Sequence, residues 1–342
     1  MAAARRWAAL RGLLAALLGV GVAAGCTTPN RPPPPDPVVT ALPSPAADAG
    51  RSDPVADPIY PDYGNPALDV LHYGLDLGWS PTPTELTATA TLTIRAARPV
   101  TELALDFAPG YAVDAVTLDG VTVAPQRRGN DLVVPAPAPL AAEARVTLVV
   151  RYHGVPHSVA MPSARADFPE GLGLRATADG SAWTMQEPFG AFTWYPVNDQ
   201  PSDEALYDLT VRVPAGWAAV ASGALIGIDE ASDASTYRWR SVDPVASYLV
   251  TLAIGRYTLT SLTGPHGLPI TCWLRTGIDE GLAPAVRRMP DLLEWLEAHF
   301  GPYPFPTAGV VFVDSVSAME TQQMVTYGAK AGTKRPIESY TE

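Results

Sequence analysis

Residues 85–95 read ELTATATLTIR and alternate without a break. Leu86, Ala88, Ala90, Leu92 and Ile94 share one side; Thr87, Thr89, Thr91, Thr93 and Arg95 share the other. A period of two places these sets on opposite faces of a strand, whereas a helix would scatter both around its circumference. The stretch therefore demands a sheet with one buried face. TELALDF repeats the pattern with Leu103, Leu105 and Phe107. RVTLVVRY and YDLTVRV repeat it with Val146, Leu148 and Val150 and with Leu209, Val211 and Val213. In AVTLDGVTV, Asp119 and Gly120 separate two short β runs, a strong hairpin signal because both tolerate positive φ. SYLVTLAIGRY (247–257) is apolar almost throughout and is expected to be central. From 62 to 262 the expectation is a β domain of antiparallel sheets, packed as a sandwich or saddle.

After Gly264 the pattern changes. LPITCWLRTG reads as one more strand. Val286, Met289, Leu293, Leu296 and Phe300 then recur at helical spacing, with Pro290 kinking the helix or beginning a second segment of it. Gly301 and Pro302 end it. GVVFVDS (309–315) reads as a buried strand, and VSAMETQQMVTYG (316–328) as another carrying one carboxylate, Glu320. Residues 263–342 are thus expected to begin an α+β domain. The lone Cys272, inside the strand PITCWLRT, is expected to be a buried structural thiol.

The amino terminus speaks to compartment. Arg5, Arg6 and Arg11 precede an apolar stretch too short to span a bilayer comfortably, which ends in AAGC. Residues 1–26 are expected to be a lipoprotein-type signal peptide with Cys26 as the lipidated residue, although a plain secretory signal has similar flanks. Loss of those three arginines takes the formal charge from −12 to −15. Residues 27–61, rich in Pro, Ala, Asp and Ser, are expected to be an extended, mobile linker. The location expected is extracytoplasmic and membrane-anchored through lipid. The acidic balance argues against nucleic acid as a partner, since phosphate binding needs clustered Lys and Arg.

No complete catalytic motif is present: H-E-x-x-H, G-x-S-x-G, P-loop and dinucleotide fingerprints are all absent from the sequence. His153 and His157 are four apart, but the Gly and Pro between them mark a loop, so a solvated or packing role is expected. Two segments hold carboxylates in unusual settings. Glu187 precedes Pro188 in the aromatic-rich TMQEPFGAFTWYPVNDQPSDEALYDL (184–209), and Glu320 lies in the strand-like 316–328. Composition alone allows both to be ordinary: a crossover loop with Asp199 and Asp203 capping turns, and a solvent-facing strand residue.

The order of these segments resembles the M1 family of zinc aminopeptidases from about Leu68 onward. TWYPVNDQPSD is similar to the family's W-x-P-x-N-D-x-P segment, FGPYPFP to its F-G-x-Y-P-F-P stretch, and SAMETQQMVTY stands where it carries G-A-M-E-N. Ser317 and Thr321 replace the Gly and Asn of that motif, Met185 stands where many members have Gln, and Glu204 where Lys is frequent. The resemblance implies a saddle-like β domain followed by the beginning of a thermolysin-like catalytic domain. It implies that Glu320 binds the α-amine of a peptide substrate, that Glu187 shares it, and that Ala318 and Met319, on the strand carrying Glu320, also contact the substrate, the small Ala318 allowing close approach. The family's zinc helix lies downstream of G-A-M-E-N. The expectation is therefore an amino-terminal portion of a zinc aminopeptidase that by itself binds no catalytic zinc and hydrolyses nothing. The alternative is a non-catalytic peptide-binding or scaffolding lipoprotein of the same architecture.

Overall fold

The computed structural model describes residues 36–46, 48–162 and 167–330. Cys26 and the expected signal peptide lie outside the described residues.

The alternating stretch becomes the strand Thr84–Ala96, and its faces fall as the sequence requires. Leu86, Ala90, Leu92 and Ile94 are fully buried and Ala88 nearly so. Each large side chain so buried contributes about 1.5–3 kcal/mol relative to exposure. The strand belongs to an eight-stranded sheet, between Leu68–Pro81 and Arg145–Gly154. Every neighbour pair in this sheet is antiparallel except one: Leu68–Pro81 runs parallel to Glu204–Pro214, more than a hundred residues away. Asp119 and Gly120 both take positive φ, 48° and 78°, and turn Tyr111–Leu118 back into Val121–Thr122.

A four-stranded sheet is built from Ala218–Ala221, Leu252–Gly255, Ala182–Met185 and Gly173–Ala176 in spatial order. Large aromatic side chains fill the shared core, among them Trp194, Tyr73, Tyr207 and Trp239, all at most 2% exposed. A further three-stranded sheet runs Val100–Asp106, Asp131–Leu140, Gln126–Arg128. The architecture is mainly β, as expected. SYLVTLAIGRY is central in the small sheet only over Leu252–Gly255; it enters through a 3-10 turn, Ser247–Leu249.

The next strand, Tyr257–Thr263, pairs with Pro269–Arg275 and so opens the second sheet. The change of sheet therefore falls near Arg256, a few residues before the expected boundary at 262. This five-stranded sheet runs Tyr257–Thr263, Pro269–Arg275, Ala308–Val313, Val325–Gly328, Ala318–Met319. Its two faces divide with a period of two. Ile270, Cys272, Leu274, Val310 and Phe312 point to a small core under the helix, while Trp273, Val311 and Val313 join the large core of the β domain. Strands covered on both sides read as unbroken apolar runs, which is why GVVFVDS shows no alternation. Cys272 is fully buried beside the Met289 sulfur, and burial pushes its thiol up to about 12.

Two expectations are corrected, and the helix is less covered than its stripe. The apolar helical stripe is only half covered. The helix Met289–Phe300 begins with Pro290 in its first turn, where a missing N–H costs nothing. Val286, Met289 and Leu293 reach the small core, but Leu296 is 41% and Phe300 81% exposed. Residues 316–328 are not one strand. Ala318–Met319 and Val325–Gly328 are the two arms of a hairpin, broken between them by Gln323 at φ 64°. The linker is not free from residue 36 onward. The Val39 N–H donates to the Leu225 carbonyl, the Ser52 N–H donates to Asp69, and the Ser52 hydroxyl exchanges hydrogen bonds with the Glu204 backbone. Buried Arg95 reaches Asp69 at 2.6 Å, Glu143 at 2.7 Å and the Ser52 carbonyl at 2.5 Å. A Pro-rich segment without a core of its own is thus held by its backbone polar groups, by the Ser52 hydroxyl and by the guanidiniums of Arg51, Arg95 and Arg145.

Candidate functional site

Glu187 follows directly on the strand Ala182–Met185 and Gln186. The strand is wholly buried, Gln186 is fully buried, and Glu187 is half-buried. A buried amide must be bonded on both ends, and Gln186 is. Its Nε2 donates to the Ser247 carbonyl at 2.8 Å and the Val250 carbonyl at 2.9 Å. Its Oε1 accepts from Trp194 Nε1 at 3.0 Å. The segment that follows, Gly190–Phe192, is fixed by Asp199, whose Oδ2 accepts the Gly190 N–H at 2.9 Å and the Phe192 N–H at 3.2 Å. Asp199 Oδ1 accepts the Ser247 hydroxyl at 2.7 Å. Burial raises the Asp199 carboxyl above its usual range, and these three donors pull it back down. Asp199 thus does cap a turn, and it also ties that turn to Ser247. Asp203 instead reaches across to a strand: it accepts the Val70 N–H and the Asn198 side-chain amide.

Glu320 is exposed and stands at the first position after the strand Ala318–Met319. That strand is at the edge of the five-stranded sheet, bonded on one side to Val325–Gly328. Ala318 is half-buried. Met319 is 1% exposed, with its side chain in the large core, so only its backbone is available on the strand. Thr321, at the motif's Asn position, is buried and closes the hairpin: its hydroxyl donates to the Met324 carbonyl and accepts the Thr326 N–H at 3.1 Å. Ser317, at the motif's Gly position, bonds through its hydroxyl to the Asp167 carbonyl.

The hairpin is welded to the β domain close to Glu187. The Gln322 N–H donates to the Leu249 carbonyl at 3.2 Å, and Gln322 Nε2 to the Pro244 carbonyl at 3.0 Å. Thr251 and Thr326 share a hydroxyl–hydroxyl bond of 2.7 Å. Ser315 lies 3.7 Å from the Met185 sulfur. The segments bearing Glu187 and Glu320 therefore meet on one element, the turn Ser247–Val250. Tyr248, within it, has its hydroxyl raised by burial and then by the charges of Glu187 and Glu204.

Gln186, Ser247, Tyr248 and Gln322 were not singled out from sequence. The signal for Gln186 was a lone amide in the apolar run AWTMQEP, which must find buried partners; those partners lie some sixty residues further along. Two open grooves, about 570 and 280 Å³, lie elsewhere, on the Thr-rich outer face of the large sheet, and include none of these residues.

The family described as Peptidase M1 N-terminal domain matches residues 70–249, more than half of the chain. No curated protein matches. Among solved structures, a mutant two-domain M1 zinc metallopeptidase bound to L-arginine is 27% identical. It covers 82% of this chain and 64% of its own, with a TM-score of 0.71. The M1 zinc metallopeptidase from Deinococcus radiodurans is 28% identical, covering 79% and 62%, also at 0.71. A mutant of the latter bound to a Tyr-Ser-Ala substrate gives the same identity and coverage at 0.70. The chain thus spans less than two thirds of the length of these structures.

Zinc has no ligand set among the described residues, which hold no group of three His, Cys, Asp or Glu able to bind a metal. His72 pairs with Asp208, His153 with Asp114 and His266 with Glu297, each on its own, and His299 bonds the Trp295 carbonyl.

Proposed function

This chain belongs to the M1 peptidases through their N-terminal domain, and from that premise we propose that it forms the amine-recognising part of a zinc-dependent aminopeptidase. In this reading Glu320 and Glu187 together hold the α-amine of a peptide. Two carboxylates suit a terminal ammonium, which offers three N–H donors and a full charge. The edge strand Ala318–Met319 adds backbone hydrogen bonds to an extended substrate. A site that requires a free amine at its closed end admits the chain terminus and excludes internal peptide bonds. The observation that carries the reading is the convergence of both acid-bearing segments on the turn Ser247–Val250. The solved neighbours bound to L-arginine and to Tyr-Ser-Ala support peptides as the ligand class.

The test is calorimetric. L-arginine amide should bind the protein carried to its natural carboxyl terminus, and Glu320→Gln and Glu187→Gln should each weaken it about tenfold or more. Equal affinity for the Nα-acetylated amide would overturn the reading. Hydrolysis belongs to the part of an M1 enzyme that holds zinc, so residues 27–342 alone should release no product from an aminoacyl anilide. Binding without hydrolysis by the protein at its natural length would favour the scaffolding alternative. Secretion and anchoring through Cys26 are proposed from the AAGC segment. Cys26→Ser should move the protein from the membrane to the soluble fraction; an unchanged distribution would sink the anchor.

A further inference from the structure

We infer that Ser247 and Gln186 are positioning residues that set the spacing between Glu187 and Glu320, with the turn Ser247–Val250 as the bracket between them. This inference rests on the amine-binding reading above. The turn is gripped from three directions. Gln186, the residue before Glu187, spans it with two donated bonds, to its first and last carbonyls. Asp199 holds the Ser247 hydroxyl while also holding Gly190 and Phe192, the stretch just after Glu187. On the opposite flank, Gln322, two residues after Glu320, bonds to the turn's Leu249 carbonyl.

Glu187 is therefore fixed on both its chain sides to the same short turn that fixes the Glu320 hairpin, each side through different atoms of it. Gln186, Asp199 and Ser247 are each at most 2% exposed, so these bonds form away from water and have no solvent substitute. Two long carboxylate side chains on separate sheets would otherwise lose rotamer freedom on closing around one ammonium. A rigid bracket removes part of that cost in advance and makes amine affinity depend on geometry that neither acid supplies. Neither Ser247 nor Gln186 touches the ligand in this arrangement; both act through the two acids.

The experiment measures the affinity ratio of L-arginine amide to its Nα-acetyl derivative, by calorimetry, with the melting temperature of each variant. Ser247→Ala and Gln186→Met should cut the ratio about tenfold, while Ser247→Thr, which keeps the hydroxyl, should retain it. A purely structural role would lower the melting temperature and leave the ratio unchanged, and that result overturns the inference. A ratio unchanged in Glu320→Gln would show that the amine reading itself is wrong, and the bracket falls with it. A ratio lost in Glu320→Gln but kept in Ser247→Ala and Gln186→Met would refute the bracket alone.

Discussion

The two hydrophobic cores differ in how they are closed. The β-domain core is enclosed by sheets on several sides, and its largest side chains, such as Trp194 and Trp239, are at most 1% exposed. The core behind the second sheet is a cluster of nine buried residues among those described, covered by one short helical turn and one twelve-residue helix. That helix leaves Trp295, Leu296 and Phe300 in solvent. The same five-stranded sheet serves both, one face to each. Apolar periodicity tells which residues can be buried, but the number of layers that arrive decides which of them are.

The contrast can be broken by mutation, read as urea midpoints. Trp239→Ala should cost about 3–5 kcal/mol, because it removes a filled volume and the Nε1 bond to the Ala219 carbonyl. A loss below about 1 kcal/mol would mean the β core is looser than its burial indicates.

The next effect is electrostatic. Asp106 is 3% exposed, and burial, with the neighbouring Asp199 charge, raises its carboxyl from 3.8 to about 7, against the N–H groups of Asp199 and Gly64. Between those values only the folded state holds the proton. The stabilisation is complete below the unfolded value and is lost as pH rises through about 7. Its ceiling is about 4 kcal/mol. The fall in stability from pH 5 to pH 8 should therefore be smaller in Asp106→Asn than in the parent; an identical slope would reject the assignment.

Leu293→Ala should cost about 2 kcal/mol, the low end for a buried leucine, because its core is small and open on one side. Phe300→Ser should change stability by less than about 0.5 kcal/mol. A larger loss would show that Phe300 is covered in solution.

Much of the fold was legible before the structure. The face assignment of residues 85–95, the hairpin at Asp119 and Gly120, and the start of a helix segment at Pro290 depend on local chemistry, and local chemistry is what a sequence displays. The parallel pairing of Leu68–Pro81 with Glu204–Pro214 was not legible, because nothing in either strand names a partner so far away. The hairpin at 318–328 was hidden for a different reason. Gln323 adopts positive φ without being Gly or Asn, held in a turn that Thr321 closes through its hydroxyl. At the candidate site, the carboxylates Glu187 and Glu320 stood out as charges in apolar surroundings. The side chains that bring their segments together, Gln186 and Gln322, bond mostly to backbone carbonyls, which every residue carries and no sequence pattern marks.

The strapped amino-terminal arm alters a distance. Counted from 27 to 61, a linker of thirty-five residues would allow a tethered domain to range over roughly 120 Å of contour. Backbone ties to the β domain begin at Val39. Residues 39 to 61, twenty-three of those thirty-five, lie at or beyond the first tie and lengthen no tether. Any attachment ahead of residue 39 thus works with roughly 80 Å less contour than a free linker would give it.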